Sequence, residues 1–83
     1  MNFVVGQVVI SGAGRDKSRY LVVIETEPGY VYVADGKLRK METPKRKNIK
    51  HLFSTDTVFD LSVIQNNKHL RGAIVEKFGA DHR

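Results

Sequence analysis

Apolar residues dominate positions 4–10, where Val4, Val5, Val8, Val9 and Ile10 are all β-branched, a pattern that predicts a strand buried on both faces. Residues 20–24, "YLVVI", read the same way. Glu27, Pro28, Gly29 and Tyr30 then mark a turn, after which "YVYVADGK" alternates Tyr and Val before a second turn at Asp35 and Gly36. A proline opening a two-residue loop suits a type II turn, which splays antiparallel strands, so a wider connection is expected at Pro28. Simple two-residue pairing would instead set Tyr30 and Tyr32 opposite Glu27 and Glu25, with Val31 and Val33 facing inward.

Residues 38–41 supply a short fourth strand with cations interspersed, and after Pro44 "NIKHLF" supplies a fifth through Ile49 and Leu52. Five short strands in about fifty residues suggest a small barrel over residues 4–54. The tail changes period. Leu70, Ala73, Ile74 and Phe78 fall at i, i+3, i+4 and i+8, the stripe of a helix over about 67–78 that starts at Asn66 or Asn67 and stops at Gly79. The expected fold is mainly β, a five-stranded barrel with a C-terminal α-helix.

Length and composition narrow this further. A chain of 83 residues hides only about 60 to 65 % of its unfolded surface, enough for one core and one domain over 1–83. With no cysteine, neither disulfides nor a thiolate metal site reinforces that core. The start of the chain has no basic segment, long apolar run or small-residue cleavage site, so a cytoplasmic protein without signal peptide or membrane span is expected. Fourteen Lys and Arg against nine Asp and Glu, net +5, direct attention to a polyanionic partner.

The cations cluster. Lys37, Arg39, Lys40, Lys45, Arg46, Lys47 and Lys50 lie within fourteen positions, opposed only by Glu42. A solubilising surface would mix its signs, so this block argues for polyanion binding. Arg15, Lys17 and Arg19 form a second group in "SGAGRDKSRY", with Asp16 placed to staple the loop through its amides. A nucleotide phosphate loop is excluded there: "GAG" lacks the remaining glycine and lysine-serine pair, and leads into a strand rather than a helix. If the two groups share one side, they would straddle a groove of RNA.

A strand, the basic loop "AGRDKSR" and a second strand "YLVVIE" resemble the KOW motif of ribosomal and transcription-associated RNA-binding proteins. Downstream, "YVYVADG", a basic stretch, "KRKNIKHL" and the helix "NNKHLRGAIVEKF" are similar to the archaeal and eukaryotic large-subunit ribosomal proteins called fourteen-e, in a short, bacterial-type form. The likeness covers Gly6 to about Phe78. It implies an SH3-like barrel whose basic loop and block, with His51 beside them, contact ribosomal RNA in translation or ribosome assembly. Ser18 stands where the family often has a second loop glycine, and "LFSTDT" lacks a proline often found there and carries Phe53. The chain also ends soon after the helix, without a long basic extension.

The expected RNA contacts are therefore Arg15, Lys17, Arg19, Lys37, Arg39, Lys40, Lys45, Arg46, Lys47, Lys50 and His51. They would act by phosphate neutralisation and counterion release, and reversing Arg46 and Lys47 should weaken binding. Tyr30 and Tyr32 are expected to pack beneath the helix, the alternative being outward rings that stack on bases. His51, His69 and His82 lie too far apart for a local metal motif, Asp56 and Asp60 have no helical frame, and no nucleophile with a base is present. No enzyme, metal or cofactor is expected, and the free protein is expected to be a monomer. A second class stays open: a barrel binding an acidic protein in a transcription or signalling complex through a strand edge and the same cations.

Overall fold

Val8 and Val9 are neighbours in β1 (Gln7–Ser11) and so point to opposite faces of the sheet, yet both are fully buried. The same holds for Val22 and Val23 in β2 (Tyr20–Glu27) and for Val33 and Ala34 in β3 (Tyr30–Ala34). A sheet covered on both sides is what a run of consecutive β-branched residues demands. The computed structural model describes residues 2–79 and completes the order with β4 (Lys45–Asn48), β5 (Leu52–Val58) and α1 (Asn67–Phe78).

The five strands form one antiparallel sheet in the order β4-β3-β2-β1-β5. β4 and β5 are its two edges and do not pair, so the sheet stays open, although one turn of 3-10 helix, Ile49–His51, carries the chain directly from one edge to the other. One face gathers Phe3, Val9, Leu21, Val23, Val33 and Leu52 into a core. The opposite face packs Val8, Val22 and Ala34 against Ile64, Leu70 and Ile74. Each fully buried aliphatic side chain contributes about 1.5–3 kcal/mol.

The helix follows its sequence signals. Asn66 caps it by accepting from the His69 N–H at 2.8 Å, and Gly79 ends it at φ 84°. Leu70 and Ile74 are buried, while Phe78 stacks on Tyr20 with ring centroids 4.3 Å apart. Tyr20 is thus the tyrosine beneath the helix. Tyr30 and Tyr32, expected there, belong to neither core.

The strand assignments are corrected in several places. Residues 38–41 form no strand, because the preceding turn engages Arg39 through both its N–H and its carbonyl: Asp35 Oδ1 accepts from the Lys37 and Arg39 N–H groups at 2.9 Å, and the Arg39 carbonyl accepts from those of Asp35 and Gly36. The fourth strand is instead "KRKN", which has no apolar residue and is set by pairing with β3 through Val31↔Lys47 and Val33↔Lys45. The fifth strand accordingly starts at Leu52 and runs to Val58 rather than spanning "NIKHLF".

The Pro28 connection is also tight, with Glu27 paired to Tyr30 across two residues. Gly29 at φ 79° supplies the positive angle of a type II turn, and a bulge at Ile24 adds local twist to strands that such a turn would splay. Tyr32 therefore does lie opposite Glu25, with Val31 and Val33 inward. At the start of the chain, Val4 and Val5 precede the strand and are about half exposed, because the Val4 carbonyl accepts from the Gln7 N–H in a turn.

Candidate functional site

The loop between β1 and β2 contains one turn of 3-10 helix, Gly14–Asp16, that buries its aspartate. Gly14 and Ser18 both have positive φ, at 74° and 70°. Ser18 thus keeps a left-handed conformation without being glycine, at a cost of order 1 kcal/mol. Its N–H donates to the Ser11 carbonyl at 2.7 Å, and Arg19 N–H to that of Asp16 at 2.9 Å. These main-chain bonds close the loop.

The Asp16 carboxylate does something other than staple amides. It points across to the segment joining β3 to β5, where Arg39 donates to Oδ2 from Nε at 3.2 Å and Nη2 at 3.1 Å, and Lys47 Nζ lies 3.2 Å from the same oxygen. Its side chain is 3 % exposed, against 28 % for Arg39 and 12 % for Lys47. Burial opposes ionisation of Asp16, but the hydrogen bonds and charges of Arg39 and Lys47 outweigh it and hold the carboxyl below its ordinary value. One buried anion therefore fastens the basic loop to the basic block.

The eleven expected contact residues divide on this basis. Arg15 and Lys17 project from the loop; Lys37, Lys40, Lys45, Lys50 and His51 are exposed on the segment after β3. Among these, Arg15, Lys17, Lys37, Lys45 and Lys50 form no ion pair with the described residues. Arg19 is half-buried at the foot of the loop. Arg39 and Lys47 are committed to Asp16. Reversing Lys47 would face two carboxylates against each other, so it is a poor test of surface charge.

Arg46 is engaged differently. It pairs with Glu27, its Nε donating to Oε2 at 2.9 Å, and its guanidinium lies over the Tyr30 ring, 3.7 Å from the centroid. The other Glu27 oxygen accepts from the Tyr32 hydroxyl at 3.1 Å. Each group's own hydrogen bond to Glu27 holds it, the Tyr32 hydroxyl and the Arg46 guanidinium alike, above its ordinary pKa. Both tyrosines alternate along β3 with the inward Val31 and Val33 and so share a face with Ala34, and the bulge at Ile24 brings Glu25 and Glu27 to that same side.

The turn after β3 docks on the helix. Glu42, the acid within the block, accepts from Asn67 Nδ2 at 2.6 Å, and Asn67 Oδ1 accepts from the Met41 N–H at 2.8 Å. The Asn67 bond holds the Glu42 carboxyl below its ordinary value, so it remains an anion turned to the helix. Sequence reasoning missed both this clasp and the Asp16 clamp. A lone aspartate amid three cations was the available signal for the clamp; nothing local marked Asn67.

Among the described residues no group of three His, Cys, Asp or Glu is placed to hold a metal, and no helix is long and apolar enough to cross a membrane. His82 lies outside the described residues. No protein-family model matches the chain, and no curated protein matches it in sequence.

Proposed function

We propose that this protein is a non-catalytic RNA-binding module that neutralises the phosphate backbone of a structured RNA. The observation that carries the reading is the convergence of two basic segments, residues 15–19 and 37–50, held together by the buried Asp16. Ten of the fourteen Lys and Arg belong to these segments, which are distant in sequence and adjacent in space. Charge gathered this way favours a polyanion, with affinity drawn from counterion release. A-form RNA, recognised by shape and backbone, suits exposed lysines on strands and loops.

The finer reading is an SH3-like barrel of KOW type, with ribosomal RNA of the large subunit as ligand and the cytoplasm as its place of work. The strand order β4-β3-β2-β1-β5, with a single 3-10 turn between β4 and β5, supports such a barrel. The positive φ retained at Ser18 supports the loop likeness.

The test is RNA affinity across a salt series for the native protein and a Lys17→Glu/Lys45→Glu variant, with folding checked by circular dichroism. Losing two phosphate contacts should weaken binding and reduce the slope of log K against log salt by about 1.5–2. Unchanged affinity and slope in the folded variant would refute this placement. Sedimentation of lysate then tests the ribosomal ligand: co-migration with the large subunit at moderate salt supports it. Displacement of RNA by an acidic protein bound more tightly would favour a protein partner instead.

A further inference from the structure

Arg46 is the arginine of the block whose guanidinium is held at its edge by a carboxylate and covered on one face by an aromatic ring. Glu27 fixes its edge, with Nε and Nη2 each 2.9 Å from Oε2, and the Tyr30 ring covers one face at 3.7 Å. Glu27 is itself braced by the Tyr32 hydroxyl at 3.1 Å. Yet the Arg46 side chain is 53 % exposed, so the face turned away from Tyr30 is open to solvent. A cation serving only as charge needs none of this order, and the exposed lysines beside it have none.

We propose, building on the RNA-binding reading above, that the Tyr30–Arg46 pair is a stacking platform for an unpaired nucleobase. A guanidinium plane stacks on a base much as an aromatic ring does, and adds positive charge near the flanking phosphates. The rotamer entropy that such a contact usually costs is already spent in the free protein, because Glu27 and Tyr30 hold the plane in place. Bases within a duplex are stacked on one another and unavailable, so the ligand is RNA with an unpaired nucleotide beside a helical segment.

The experiment compares three labelled RNAs that share one stem: a hairpin with an unpaired loop, the same hairpin with abasic loop positions, and a blunt duplex. Native protein, Arg46→Lys and Arg46→Ala are measured against each. Native protein should prefer the intact loop over the abasic one by about tenfold. Arg46→Lys keeps the charge but not the plane, and should bind the intact and abasic hairpins equally, losing that preference. Equal native affinity for the intact and abasic loops would overturn the platform and leave backbone binding standing. So would an Arg46→Lys variant that keeps the preference. Failure of native protein to bind any of the three would overturn the RNA-binding reading itself.

Discussion

Asp16 binds two cations with one oxygen, and its depressed pKa makes that clamp a pH-dependent part of stability. A carboxylate whose folded pKa lies below its unfolded value of about 3.9 stabilises the native state above that value, and the contribution is lost as pH falls through the folded pKa. Asp16→Asn should therefore be less stable than native protein at neutral pH and converge with it in acid, as urea unfolding from pH 7 to pH 2 would measure. The loss at pH 7 should be about 2 kcal/mol, since Arg39 and Lys47 are left near a neutral group. Neighbouring lysines contrast sharply. Lys45→Glu should change stability by less than about 0.5 kcal/mol, whereas Lys47→Glu should cost about 2 kcal/mol or more by opposing Asp16. Ser18→Gly should be neutral or stabilising by about 0.5 kcal/mol, because glycine relieves the positive φ but is freer when unfolded.

At the level of elements, the helix and the turn before β4 depend on each other. Gly36, at φ 81°, passes so close to the first turn of α1 that a Cβ there would overlap the Asn67 carbonyl oxygen, which is backbone and cannot swing aside. Gly36→Ala should cost about 3 kcal/mol or more by combining that overlap with an unfavourable φ. Ile74→Ala, which opens a cavity between helix and sheet, should cost about 2–5 kcal/mol, and Asn66→Ala about 1 kcal/mol through loss of the cap. Thermal unfolding ranks the three, and a smaller effect of Gly36→Ala than of Asn66→Ala would show that the turn and helix separate easily.

Across the whole molecule, charge and core are separated. The apolar residues fill both faces of β1 and β2, while ten of fourteen cations gather in two segments around Asp16. Concentrated like charge repels itself in the folded state, and salt screens that repulsion over about 8–10 Å. Raising salt from about 20 to 200 mM should therefore raise Tm by a few degrees, and on the proposed RNA-binding function, which uses the same cations, it should weaken RNA binding at least tenfold. A fall in Tm over that range would mean that the ion pairs, rather than repulsion, dominate the electrostatics of the fold.

Much of this was legible in one dimension because it rests on local physics. Consecutive β-branched residues announced strands buried on both sides, alternation in "YVYV" placed Val31 and Val33 inward, and the stripe, with Asn66 or Asn67 before it and Gly79 after it, marked the helix to within a residue at its start. The clustering of cations was equally visible. What the tertiary structure alone decided depends on partners far along the chain. "KRKN" is a strand because β3 offers it hydrogen bonds, not because its side chains prefer one, whereas residues 38–41 lose that role to the Asp35 turn. The division of the block into a clamped pair, an oriented Arg46 and exposed lysines follows from where Asp16, Glu27 and Tyr30 are brought. Periodicity and capping act within a few residues and are written in order, but an ion pair between positions 16 and 47 exists only after the sheet has set them side by side.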